Sequence, residues 1–325
     1  ILHIPKDDAD RCAFAVFTDT QDTDTVGNWW EAALLDADEV FPQYGFIAHC
    51  GDIVETSVSF ENWAKMLGNT AKHTRAYPLA AAPGNHDYWK WYLRDIVGSF
   101  YSHFNVSLPP QNTDYGAYYS VERGNMLILV LSTGDTNLTG GTLGKEQYEW
   151  AKRELSESRM KWKTVLIHNP LFSPGKYGSR VPNNDHCLKL RAQLCPLFSD
   201  GGVDLVICGH DHMYARTYPI SADGTPVTNA PSKVCNYRGR SAEYFTAAAG
   251  PIHFEPACAG HQNRGLECEM TPELSAPFRE MRETGYGEVS WAAVDADGNA
   301  LTVLFRTIDI ESGKCVFESA FGLKK

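Results

Sequence analysis

No run of apolar residues in this 325-residue chain approaches the roughly 18 that a membrane-spanning helix needs; the longest clean one, Met126 to Leu131, is strand length. Positive charge is not in excess. With 29 Lys and Arg against 40 Asp and Glu, the formal charge is −11, which excludes a nucleic-acid wrap or an anionic-membrane binder, since both need a basic face. No C-x-x-C pair occurs, so a zinc knuckle has no support. Internal repeats, low-complexity tracts and an interdomain linker are also lacking, and residues 1–325 read as one domain. Hydrophobic content of 43% excludes wholesale disorder.

Cysteine, in contrast, is plentiful: nine residues, an odd number. Cys50 and Cys208 end apolar runs and read as buried thiols. Cys258 and Cys268 flank a Gly-rich segment and are the expected local disulfide, while Cys187, Cys195, Cys235 and Cys315 leave a second pairing open. Two glycosylation sequons stand at Asn105-Val106-Ser107 and Asn137-Leu138-Thr139, in polar stretches expected to be loops. The chain opens on Ile1 rather than Met, which is consistent with an excised leader. These features point to a secreted, oxidising setting.

Through the first two thirds, strand-like runs alternate with helical patterns. Strands are expected at Cys12–Asp19, Phe46–Cys50, Tyr77–Ala82, Ala117–Ser120, Met126–Ser132, Thr164–His168 and Val203–Cys208; helices at Trp29–Phe41, Ser59–Leu67, Leu143–Ser156 and Leu188–Phe198. This order predicts an α/β protein whose parallel strands carry helices outside. Beyond a further strand-like run, Tyr244–Ala249, a Cys, Gly and Pro-rich insertion is expected at about 252–284. A hairpin should follow at about 287–308, turning at Asp295-Ala296-Asp297-Gly298-Asn299.

Five clusters of metal-ligating residue types each follow an apolar run: Asp19-Thr20-Gln21; Gly51-Asp52; Gly84-Asn85-His86-Asp87; His168 in Val165-Leu166-Ile167-His168-Asn169-Pro170; and Gly209-His210-Asp211-His212. Any one of them is unremarkable. Together, at the carboxyl ends of strands where loops converge on one crevice, they place carboxylates, an amide oxygen and imidazoles around one point.

In their order these clusters resemble the pattern of the calcineurin-like metallophosphoesterases: D-x-H, G-D-x-x, G-N-H-[DE], H, G-H-x-H. The stretch from His168-Asn169-Pro170 through Tyr214-Ala215-Arg216 is similar to the purple acid phosphatase branch. The resemblance implies two facing mixed β-sheets flanked by helices, with a metal centre at their shared edge. It also implies two metal ions, divalent or mixed-valent (Fe, Zn or Mn). One would be held by Asp19, Gln21, Asp52 and His212, the other by Asp52, Asn85, His168 and His210, with Asp52 bridging. The implied activity is phosphate-ester hydrolysis by a metal-activated hydroxide, with His86 serving the leaving-group oxygen. Monoester hydrolysis in the acid-phosphatase manner leads. A phosphodiesterase or nucleotide hydrolase on the same centre, and a binding protein with weakened catalysis, stay open. The substrate is then a small phosphorylated molecule.

Two positions depart from the family pattern. Gln21 stands where most members have His, and a neutral amide oxygen is a weaker donor. Glu55 stands where purple acid phosphatases have an iron-ligating Tyr, so no purple charge-transfer band is expected. Glu55, or the neighbouring Asp87, is then the carboxylate expected to orient His86. His253 reads either as a rim residue from a sixth strand end or as a core histidine. Tyr88, Trp89 and Trp91 are pocket-wall or core aromatics, Lys176 and Arg180 loop residues, and His49 a structural histidine.

Overall fold

A computed structural model describes residues 10–21, 29–88, 100, 103–104, 118–133, 141–175, 185–262 and 270–325; for Tyr88 and Asp185 only the backbone is described. Two sheets carry the fold. The first has the order β3-β2-β1-β13-β14-β15-β10-β9, built from β1 (Arg11–Phe17), β2 (Ile47–His49), β3 (Leu79–Ala81), β9 (Ser232–Tyr237), β10 (Arg240–Thr246), β13 (Glu288–Asp297), β14 (Ala300–Asp309) and β15 (Cys315–Lys324). The second has the order β12-β8-β11-β7-β6-β5-β4, from β4 (Tyr119–Arg123), β5 (Met126–Leu131), β6 (Trp162–Ile167), β7 (Leu205–Ile207), β8 (Tyr214–Thr217), β11 (Ile252–Pro256) and β12 (Phe278–Arg282).

Each sheet is mixed. In the first, β1, β2 and β3 run parallel, while β1–β13, β13–β14 and β14–β15 are antiparallel. In the second, β5, β6, β7 and β11 run parallel, with antiparallel strands at both edges. Period-two alternation sorts the side chains between faces. Phe14, Val16, Val294, Val303, Phe305 and Phe321 of the first sheet face Ile128, Val130, Leu166, Ile207, Tyr214 and Phe254 of the second in one dry core. Ala15, Phe17, Trp291 and Ala293 point outward onto the helix Trp29–Val40, whose buried stripe is Trp30, Ala33, Leu34 and Ala37. The outer face of the second sheet packs on the helices Lys145–Glu157 and Asp185–Gly201.

The sheets are also tied by charge. Arg216 of β8 donates to Glu280 of β12 at 2.9 Å and to Glu243 of β10, in the other sheet, at 3.1 Å; the Tyr214 hydroxyl donates to Glu280 at 2.7 Å. The Tyr-x-Arg pair therefore serves the sandwich.

One expectation changes here. The stretch expected to be an insertion contains β11, a central strand between β7 and β8, and the edge strand β12. Its Gly and Pro content marks the ends of β11 rather than an excursion. Among the described residues no two cysteine sulfurs are joined. Cys268, the partner expected for Cys258, lies outside the described residues. Asn105 and Asn137 lie outside them too.

Phe305 joins both sheets, stacking on Tyr214 at 4.2 Å and meeting Phe254 edge-on at 6.0 Å. Phe305→Ala removes a fully buried ring and is expected to cost about 3–5 kcal/mol. Urea unfolding should show this as a lower midpoint at unchanged slope; a loss under about 1 kcal/mol would contradict the packing described.

Candidate metal centre

Five parallel strands end at one edge of the sandwich, and each hands its loop to the same point. β1 leads to Asp19 and Gln21, β2 to Asp52, β3 to Asn85 and His86, β6 to His168, and β7 to His210 and His212. The loops turn sharply: Asp19 (φ 53°), Gln21 (φ 32°), Asp52 (φ 53°), His210 (φ 81°) and His212 (φ 59°) all take left-handed backbone. They make up five of the seven non-glycine residues with positive φ among the described residues. Such conformations cost of order 1–3 kcal/mol each and persist where surrounding structure enforces them, as at functional sites. Gly84 meets a different demand. A methyl group there would stand 2.2 Å from both the amide nitrogen and Oδ1 of Asp52, so only glycine lets the third loop close on the second.

The contacts form a chain. His168 Nδ1 lies 2.8 Å from the Cys50 carbonyl and must donate to it. In the neutral ring that leaves a lone pair on Nε2, which faces three further acceptors or donors: Asp52 Oδ2 at 3.3 Å, Asn85 Oδ1 at 3.2 Å and His210 Nδ1 at 3.2 Å. Donor atoms of Asp52, His168 and His210 all lie within 4.8 Å of one another and are buried. On the other side, His212 Nδ1 donates to the Gln262 carbonyl, so its Nε2 lone pair faces Asp19 Oδ1 at 3.2 Å. Asp19 is fixed by the Thr18 hydroxyl at 2.6 Å and by the His210 amide, 3.1 and 2.9 Å from its two oxygens.

Burial alone would raise both carboxyls and lower both imidazoles. The opposed charges reverse that. His212 and His168 hold Asp19 below the usual carboxylate range, His168 and His86 hold Asp52 there, and Asp52 with Asp19 lifts His168 to about 9. Asp19, then Cys258, lifts His212 well above its ordinary value.

Gln21 tests whether the residues suit a cation. It is fully buried, and neither atom of its amide meets a hydrogen-bond partner among the described residues. An unpaired buried amide costs about 1–3 kcal/mol, and a cation bound through the oxygen offsets that cost. The donor set of carboxylate, amide oxygen and imidazole is that of a divalent or trivalent transition metal. Asp19, Gln21, Asp52, Asn85, His168, His210 and His212 could therefore hold metal.

His86 donates its amide to Asp52 Oδ1 at 2.7 Å, and its ring Nδ1 lies 2.8 Å from the Glu55 carbonyl oxygen and 3.5 Å from the Glu55 carboxylate. Asp87 does not join that pair. Its carboxylate accepts from the amides of Ile53 at 3.0 Å, Val54 at 3.3 Å and Gly84 at 2.8 Å, pinning the second and third loops together. Within a tight turn, side chains of successive residues diverge, and Asp87 points into the protein. Burial, then Asp52, pushes its carboxyl up to about 7. His253 is not on the rim either. Its ring packs 4.8 Å from Phe172 in the core, no described polar group meets its nitrogens, and burial pushes it down to about 3. The side chain of Tyr88, and Trp89, Trp91, Lys176 and Arg180, lie outside the described residues.

Two contributors carry no motif. His49 is fully buried and pushed down to about 3 by burial. It accepts from the Gly51 amide at 3.1 Å and donates to the Thr20 hydroxyl at 3.1 Å, which donates in turn to the Ile53 carbonyl at 2.8 Å, locking the first loop to the second. Gln262, beyond β11, is the other.

The sequence model of the calcineurin-like phosphoesterase family matches residues 13–214, more than half of the chain. An uncharacterized protein of Mycobacterium tuberculosis is 27% identical over 170 residues, covering 49% of this chain and 31% of that protein. Purple acid phosphatase 18 of Arabidopsis thaliana is 27% identical over 245 residues, covering 74% of this chain and 45% of the enzyme. The chain thus spans less than half the length of these relatives. In fold it is similar to the purple acid phosphatase PPD1 from yellow lupin (Lupinus luteus), with a TM-score of 0.70 and 17% identity over 97% of this chain and 54% of that one.

The raised His168 value generates a sign for pH dependence. A histidine held at about 9 in the folded cation-free chain, against an ordinary 6.5, contributes stability that is complete below about 6.5 and is lost as pH rises through about 9. Chelated protein is expected to lose thermal stability over that interval, and a saturating divalent cation should remove the loss, because its ligands are already deprotonated. Scanning calorimetry across that range checks this; a flat profile in chelator contradicts it.

Proposed function

The chain belongs to the calcineurin-like phosphoesterase family, and from that footing we propose that it is a binuclear metal-dependent hydrolase of phosphate esters, acting first on monoesters. The observation that carries the reading is the convergence of His210, Asn85 and Asp52 donor atoms within hydrogen-bond reach of His168 Nε2. In the proposal Asp19, Gln21 and His212 serve one ion, Asn85, His168 and His210 the other, and Asp52 both.

The bound ions supply charge to neutralise phosphoryl oxygens and a water molecule made nucleophilic at neutral pH. The protein's own part is positioning and proton handling. The Cys50 and Gln262 carbonyls fix His168 and His212 in the tautomers that present Nε2. His86 donates from Nδ1 to the Glu55 carbonyl, which leaves Nε2 to carry the proton given to the leaving-group oxygen. The Glu55 carboxylate stands 3.5 Å from the same Nδ1.

Support for monoesters comes from the relatives named acid phosphatases and from Glu55, which occupies the place of an iron-binding tyrosine and can serve His86 instead. The proposed setting is extracytoplasmic, as for an acid phosphatase carrying sequons at Asn105 and Asn137.

Assaying chromogenic mono- and diesters side by side after metal reconstitution tests the substrate class. Monoester turnover is expected to dominate, and a diester rate tenfold higher would overturn it. His86→Ala should slow turnover by about 10²–10⁴-fold with metal content intact by elemental analysis. Loss of metal would instead make His86 part of the cage.

A further inference from the structure

β11 runs parallel to β7 and is the sixth strand to end at the catalytic edge. Its following loop presses on the first: the Ala259 amide donates to the Thr18 carbonyl at 2.9 Å, and the Cys258 thiol donates to the Asp19 carbonyl at 3.0 Å. A methyl at Gly260 would stand 2.0 Å from the Thr20 carbonyl oxygen, so the approach demands glycine. The loop delivers Gln262 to a place where one residue touches two parts of the site. Its main-chain carbonyl takes the His212 Nδ1 proton, and its side-chain Nε2 donates to Glu55 Oε2 at 2.7 Å. The other oxygen of that carboxylate is the one 3.5 Å from His86 Nδ1.

We infer that Gln262 is a positioning residue for leaving-group protonation, holding the Glu55 carboxylate beside His86. Glu55 lies on a loop between β2 and the helix Phe60–Asn69 and is only partly buried. The Gln262 amide reaches its carboxylate from across the crevice, some 207 residues away in sequence. With the bond in place, Glu55 offers both a carbonyl and a carboxylate to one imidazole, fixing the orientation of the ring. Without it the carboxylate turns to water and His86 keeps the carbonyl alone. The side chain and the carbonyl of Gln262 can be separated, because substitution removes only the first. Metal holding through His212 should then survive.

The inference rests on the phosphoesterase reading, and the test has one arm that does not. The full chain carrying Gln262→Met, which keeps length and loses the donor, is reconstituted with manganese and compared with wild type on 4-nitrophenyl phosphate and on glycerol phosphate. A leaving group that departs readily needs little protonation, whereas an alkoxide needs it. The expected result is a fall in kcat on the order of tenfold for glycerol phosphate. KM, metal content and Tm should be unchanged, and the 4-nitrophenyl ester should be affected less than about twofold. An equal fall for both substrates, or none, overturns the inference while leaving the phosphoesterase reading intact. In the second arm, imidazole nitrogen NMR of chelated protein should show the His86 signals altered by Gln262→Met and those of His212 unchanged. Unaltered His86 signals overturn the inference whether or not any ester is hydrolysed, and an inactive wild type would overturn the phosphoesterase reading alone.

Discussion

Acceptor atoms facing one another inside a protein repel unless positive charge stands between them. At this crevice two carboxylates, two side-chain amides and three imidazoles come together, with Asp19, Asp52 and His168 almost wholly out of solvent. Both His168 and His212 donate from Nδ1 to a main-chain carbonyl, so each turns Nε2 to a carboxylate. Isolated buried charges of this kind cost several kcal/mol each. Protons on the histidines meet part of that cost, which is why their affinity for protons is raised; a metal ion meets it more fully. The left-handed loops and the unpaired amide of Gln21 have the same cause, because the backbone is bent to aim donors at one locus.

The sandwich makes that aim possible. Parallel strands point their carboxyl ends the same way, so β1, β2 and β3 of one sheet and β6, β7 and β11 of the other deliver six loops to one edge. The loops are then tied to each other rather than to solvent. Asp87 grips the second and third, His49 the first and second, and the segment after β11 braces the first and fifth. The ion pairs of Arg216 with Glu243 and Glu280 join the sheets elsewhere, leaving this edge to polar groups that converge inward.

Much of this was legible in the residues. Apolar runs ending in Asp, Asn or His marked the side chains that the loops bring together, because a buried parallel strand and its loop have distinct compositions. The hairpin at Asp295–Asn299 was equally clear: β13 and β14 pair in register from Glu288↔Asp309 to Asp297↔Ala300. Three things were hidden. β11 is short, ends in Pro256 and lies among glycines, so local composition disguised a central strand that only its neighbours stabilise. Asp87 was linked to His86 by adjacency, but adjacency carries no direction, and the turn sends its carboxylate to three backbone amides. Gln262 acts partly through a carbonyl that every residue possesses, and its partners lie 50 and 207 residues away, so no spacing rule could reveal it.

Anomalous diffraction from crystals equilibrated with manganese or zinc tests the central claim most directly. A peak is expected within coordination distance of Asp52, His168 Nε2 and His210 Nδ1, and a second beside Asp19, Gln21 and His212. Ions found only elsewhere on the surface, or a crevice that stays free of anomalous signal at saturating metal, would contradict it.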